Sequence, residues 1–126
     1  MSPLFLVLLA PAAFAAETSL DFQRDVRPIL SNHCYQCHGP DEHGRKAGLR
    51  LDIREEALKP AKSGDLAIVP GKPADSHLVT RILTRDEDEI MPPPQAKKPI
   101  TDAQREILKR WISEGAPYAP HWAYKM

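Results

Sequence analysis

The chain has 126 residues, 42% of them hydrophobic, enough for one modest domain but not for two separate cores. Lys plus Arg equals Asp plus Glu at 17 each, so no field of one sign draws it to nucleic acid or to an anionic membrane surface. Proline, at 13 residues, stands at about twice its usual share and argues for short helices joined by stiff loops.

The first sixteen residues carry no charged side chain, and the run from Leu4 to Ala16 is almost wholly apolar. This predicts a secretory signal peptide over residues 1–15, cut after Ala13-Phe14-Ala15, whose small residues suit the −3 and −1 positions. The run falls short of the roughly 20 residues that span a bilayer, so no membrane span is expected after cleavage. The n-region departs from the usual pattern in having no Lys or Arg.

Next, Phe22, Val26, Ile29 and Leu30 follow helical spacing, with Asp21 as N-cap; Pro28 either kinks this helix or begins it. Residues 39–48 read as a polar loop, and Ala47-Gly48-Leu49-Arg50-Leu51-Asp52 as extended chain. Asp52 then caps a short helix through Glu55, Glu56 and Ala57 to about Lys59. Pro60, Gly64, Pro70, Gly71 and Pro73 mark a connection before a helix whose stripe is Leu78, Val79, Ile82 and Leu83, starting near Asp75 or Ser76. Arg85 to Pro99 has neither helical nor strand period and leaves through prolines as a polyproline-like exit. The last helix opens on a Thr101/Gln104 capping box, buries Ile107, Leu108, Trp111 and Ile112, and stops at Gly115. With no convincing strand pair, the expected class is all-α: three to five short helices with long Pro-rich loops.

The chemistry concentrates in Cys34-Tyr35-Gln36-Cys37-His38, the Cys-x-x-Cys-His pattern of covalent haem attachment and the only cysteine pair in the chain. On a helical turn the two sulfurs share a face and reach the two vinyl groups of one porphyrin edge, and the next imidazole swings beneath the iron. Cys34 and Cys37 are therefore expected to carry thioethers to a single haem c, with His38 as proximal ligand. A redox dithiol wants a preceding strand, and a tetrahedral zinc site wants two further donors; a plain Cys34–Cys37 disulfide is the stronger alternative.

Met91 is the expected distal ligand. Met1 and Met126 are the other methionines, and a thioether raises the reduction potential in a way that suits reversible one-electron transfer. The competing reading is a loop methionine filling an apolar gap. His77 or His43 is the fallback, while His33 and His121 read as solvated or capping residues. The run Asp86, Glu87, Asp88, Glu89 reads as a solvated loop; beside a Met91-bound haem it would favour ferric iron and present a docking surface. Arg50, polar between Leu49 and Leu51, is placed to reach a haem propionate, though a surface role fits it equally. The Nδ1 of His38 is expected to donate to a backbone carbonyl.

The chain resembles the planctomycete-type cytochrome c domain, a divergent branch of class I cytochromes c. The resemblance rests on Asp25-Val26-Arg27-Pro28-Ile29-Leu30, Cys34 to Asp41, Ala47 to Asp52, Ile68-Val69-Pro70-Gly71-Lys72-Pro73, Asp88-Glu89-Ile90-Met91-Pro92-Pro93, and Trp111-Ile112 with Gly115-Ala116. It implies covalent haem c, His38 proximal and Met91 distal, and a first helix packed across the last. It also implies a place at the front of a longer exported protein, with His121-Trp122-Ala123-Tyr124 resembling the join. The domain is set at residues 16–117, with 118–126 as a tail. The expected role is that of an exported, periplasmic or otherwise extracytoplasmic, one-electron carrier serving an unidentified redox protein rather than an enzyme. Alternatives are a haem module that binds or senses a small ligand, an electron-transfer module cut from a larger exported protein, and a haem-free domain closed by the disulfide.

Overall fold

Phe22 and Val26, four residues apart, are buried on the first helical segment, which Asp21 caps, its carboxylate accepting the Arg24 N–H at 3.1 Å. A computed structural model describes residues 3–4 and 20–119, so most of the expected leader and the expected join at 121–124 lie outside the described residues. Pro28 both interrupts and begins a helix. Having no N–H, it cannot donate to the preceding turn, and Phe22–Val26 winds as a π-helix whose Phe22 carbonyl takes the Arg27 N–H. Helix α1, Arg27–His33, then starts with Pro28 in its first turn.

Helix α2, Tyr35–His38, follows at once, and α3, Arg54–Ala57, comes after a long loop. Asp52 does not cap α3: the N-cap position belongs to Ile53, with no side-chain bond, because Asp52 is engaged by Arg50. The segment read as extended begins instead with a tight turn, Ala47 and Gly48 both having positive φ (55° and 65°), and extends only from Leu49. Helix α4 is His77–Leu83. Ser76 stands at its N-cap but is spent elsewhere: fully buried, its hydroxyl accepts from the Val69 N–H (2.8 Å) and donates to the Lys72 carbonyl (2.9 Å). That ties the Gly71 connection to the helix it precedes. The proline run holds one 3₁₀ turn, Pro94–Ala96, after an extended Pro93.

Helix α5, Asp102–Ser113, is the longest and has the expected capping box, Gln104 N–H to Thr101 Oγ1 (3.1 Å) and Thr101 N–H to Gln104 Oε1 (2.8 Å). It ends in a Schellman closure, Ala116 N–H to the Trp111 carbonyl and Gly115 N–H to Ile112, each 2.9 Å, with Gly115 at φ 102°. The Arg54 guanidinium adds bonds to the Ala116 (3.1 Å) and Gly115 (3.3 Å) carbonyls.

The π-helical segment Phe22–Val26 lies against α5, where Phe22 meets Trp111 with ring centroids 5.9 Å apart and Tyr118 stacks on Phe22 at 4.5 Å. Tyr118 also donates to the Leu51 carbonyl at 2.7 Å, so packing continues past residue 117. The Trp111 indole N–H is satisfied by the Pro117 carbonyl (2.8 Å). Val26, Leu30, Leu108, Trp111 and Ile112 are the most deeply buried apolar side chains of this crossing. No strand occurs among the described residues, and the protein is all-α.

Candidate functional site

Cys34 ends α1, its N–H bonded to the Leu30 carbonyl at 2.8 Å, and starts α2, its carbonyl taking the N–H groups of Cys37 (3.2 Å) and His38 (2.9 Å). One helical turn thus carries both cysteines and His38, which brings positions i, i+3 and i+4 to one side. Neither cysteine is in a disulfide. Burial pushes the Cys34 thiol up to about 12, with the neighbouring Cys37 adding to the shift.

Two adjoining hollows meet at this turn. The larger, about 180 Å³, has Cys34, His38, Leu49, Leu51, Leu78 and Met91 among its lining residues. The smaller, about 40 Å³, runs along Cys37, Pro92, Pro93 and Ile100. Cys34, His38, Ile82 and Met91 border both, so the two form one predominantly apolar cleft with the Cys-x-x-Cys-His turn and Met91 both in its lining. Leu108 of α5 and Ala67 also line it.

His38 is held by a backbone device that spacing alone does not reveal. Its Nδ1–H donates to the Lys46 carbonyl at 3.2 Å, so the lone pair of the neutral ring sits on Nε2. The same carbonyl accepts the Leu49 N–H (3.1 Å) across the Ala47-Gly48 turn. Lys46 N–H bonds the Cys37 carbonyl and Leu51 N–H the His38 carbonyl, each at 2.7 Å, so the loop is laced back onto α2 from both sides. Burial lowers the His38 pKa, backbone bonding at Lys46 and Leu49 opposing it, and this favours the neutral, ligand-competent imidazole.

The wall carrying Met91 comes from α4 and the loop after it. Met91 N–H bonds the Arg81 carbonyl at 2.9 Å, and His77, Leu78, Arg81 and Ile82 line the cleft beside it. Periodicity does not mark Arg81: it lies on the polar side of an apolar stripe, and only the acidic run five to eight residues on hints at a partner. His77, the fallback ligand, does line the cleft, whereas His43 is exposed in the polar loop. Arg50 lies outside the lining of the cleft, its Nε 3.0 Å from Asp52 Oδ1 and its second arm on Oδ2, a fork that holds the Asp52 carboxyl below the usual range.

The donor set fits a haem tethered by two thioethers. It offers two thiols and an imidazole on one turn, a cleft mostly of hydrocarbon, and a thioether in that cleft's lining. Among the described residues no group of three or more His, Cys, Asp or Glu could hold a metal ion by itself.

Residues 34–95 match the family model described as Planctomycete cytochrome C. The chain carries a planctomycete cytochrome C domain. The matched segment begins at Cys34 and contains Met91, so it holds the turn and the loop that meet in the cleft, while α1 and α5 outside it supply the scaffold. Being a cytochrome c-type domain, it belongs to haem-binding electron-transfer chemistry. No curated protein and no solved structure matches the chain. No helix among the described residues is long and apolar enough to cross a membrane.

Proposed function

We propose that this cytochrome C domain carries a single haem c, bound covalently through Cys34 and Cys37, with His38 and Met91 as axial ligands, and passes one electron at a time without binding a substrate. The observation that carries the reading is that Cys34, His38 and Met91 line one apolar cleft although Met91 comes from a distant loop. The haem, when bound, supplies the one-electron couple. The chain's own residues do the rest. Cys34 and Cys37 hold the porphyrin edge, and the Lys46 carbonyl keeps the proton on His38 Nδ1 so that Nε2 is the ligating atom. Leu49, Leu51, Ile82 and Leu108 exclude water, which limits solvent reorganisation when the charge changes. Met91 adds a soft donor that favours the reduced state.

Export over a leader of residues 1–15 and a domain over residues 16–117 belong to the same proposal, supported by the uncharged apolar run and by thioether attachment, which suits a compartment where a lost haem is not recovered. A propionate contact from Arg50 would need the guanidinium to reach the cofactor while paired with Asp52.

The test is maturation with the haem-attachment machinery, followed by intact mass and visible spectroscopy. The expected protein starts at Ala16, weighs one haem more than its polypeptide, keeps its Soret band through acid-acetone extraction, and shows a weak far-red band when oxidised. Met91→Ala is expected to abolish that band alone. A mass equal to the polypeptide would end the proposal; covalent haem with no far-red band in the wild-type protein would leave a ligand-binding module in its place.

A further inference from the structure

The loop that carries Met91 leaves α4 at Leu83 and returns to the same helix, and both of its attachments converge on one residue. The Arg81 carbonyl accepts the Met91 N–H (2.9 Å). The Arg81 guanidinium donates to the Glu89 carbonyl (3.1 Å), forms an ion pair with the Glu89 carboxylate (2.7 Å), and is steadied by its Nε–H donating to His77 Nε2 (2.9 Å). Thr84, the C-cap of α4, still bonds the helix through its N–H to the Thr80 carbonyl (3.1 Å), but beyond it the loop's other hydrogen bonds are internal: the Asp86 N–H donates to Thr84 Oγ1 (3.2 Å), and Asp86 accepts from the backbone of Asp88, Glu89 and Ile90, which shapes the loop but does not tie residues 85–91 to the helix. The helix end is itself fixed, because Arg105 of α5 donates to the Ile82 carbonyl at 2.9 Å. Residues 85–89 are exposed and bury nothing that would hold them down. Closing such a loop costs chain entropy, and Arg81 is the group placed to offset it.

The geometry points to Arg81 as the positioning residue that keeps Met91 presented to the cleft and so governs how readily the distal position opens. This rests on the His38/Met91 reading above. An external ligand gains the iron only when Met91 has swung away, so its apparent dissociation constant is its intrinsic one divided by the open fraction. Raising the open fraction therefore tightens apparent binding in proportion, with no new contact to the ligand.

The experiment titrates the haem-loaded oxidised protein with imidazole and follows the far-red methionine band. Arg81→Gln is expected to keep its covalent haem while binding imidazole roughly tenfold more tightly. Arg81→Lys, which keeps a cation for Glu89 but cannot bridge His77 and the Glu89 carbonyl together, is expected to fall between. Glu89→Gln removes only the ion pair and is expected to shift affinity roughly two- to threefold. Because Glu89 is exposed, that variant decides the matter should Arg81→Gln fail to mature. Imidazole affinity in the deciding variant equal to wild type, with wild type clearly weaker than Met91→Ala, overturns the role of Arg81 and leaves the axial pair standing. Wild type binding imidazole as tightly as Met91→Ala would instead remove Met91 as a ligand and this inference with it.

Discussion

Gly39 follows His38 directly, and a Cβ built there would come within 2.2 Å of the Tyr35 carbonyl oxygen. That oxygen belongs to the backbone of the turn that carries Cys37 and His38, so relief requires the turn itself to move. Gly39→Ala is expected to cost about 1–3 kcal/mol, with haem yield falling alongside, measured by thermal unfolding and by the fraction of chains matured. A melting temperature and yield equal to wild type would show that the turn adjusts freely. Gly48 is limited differently: its φ of 65° is left-handed, and a Cβ would sit 3.2 Å from Lys62 Cγ, within a flexible side chain that can give way. Gly48→Ala is thus expected to cost about 1–2 kcal/mol through φ alone. At this scale the turn that brings Cys34, Cys37 and His38 together was legible because Cys-x-x-Cys-His is local. The carbonyl serving His38, the pairing of Arg50 with Asp52 and the part played by Arg81 were not, since each depends on a turn or partner that periodicity does not encode.

The elements themselves were read well where caps and periodicity agree, as in α5, whose capping box and Gly115 stop lie where the sequence puts them. They were read less well where side chains have two local options. Asp52 chose a guanidinium over a helix N-terminus, and Ser76 chose a loop over α4. At the first helical segment Asp25 accepts the Asp21 N–H (2.9 Å) while Asp21 accepts from Arg24, a reciprocal pair at the helix start. The Arg24 guanidinium, then the Asp21 backbone N–H, hold the Asp25 pKa down to about 2. A depressed carboxylate stabilises the fold above its unfolded pKa and loses that contribution as pH falls toward the folded value. Urea unfolding of wild type and Asp25→Asn should therefore differ fully at neutral pH, converge between about pH 4 and pH 2, and coincide below. A constant difference across that range would mean the charge of Asp25 contributes nothing. Beyond the C-terminus of α5, Arg54→Ala removes two bonds to the Gly115 and Ala116 carbonyls and is expected to cost about 1 kcal/mol, read as a lowered urea midpoint with an unchanged slope.

Seen whole, the molecule divides by what holds each part. The crossing of residues 22–30 over α5 is closed by side chains: Phe22, Trp111 and Tyr118 stack, and Val26, Leu30 and Ile112 fill the space beneath them. The stretch between, from the loop after α2 to the proline run, has two α-helices, of four and seven residues, and two 3₁₀ turns, Pro73–Asp75 and Pro94–Ala96, and its Leu49, Leu51, Leu78 and Met91 turn toward the cleft. Helices so short do not persist by propensity, so this half leans on the part of the shared core that Leu51, Ile68, Val79 and Ile82 supply and is expected to gain most from what fills the cleft. Binding that favours the folded state over the unfolded one stabilises it by mass action, and here the benefit is expected to fall mainly on one half. Cys34→Ala/Cys37→Ala protein, which lacks both proposed thioether anchors, is therefore expected to melt well below the wild-type holoprotein and to lose its structure unevenly. In amide hydrogen exchange, Leu108 to Ile112 should stay protected, while the Leu51 N–H on the His38 carbonyl and the Met91 N–H on the Arg81 carbonyl should exchange at rates close to those of an unfolded chain. Protection lost equally from α5 and from the cleft would show a single cooperative unit and defeat the division. Protection retained at Leu51 and Met91 would mean that the cleft is built without its cofactor, and that the loops, for all their length, are held by the hydrogen bonds of the chain alone.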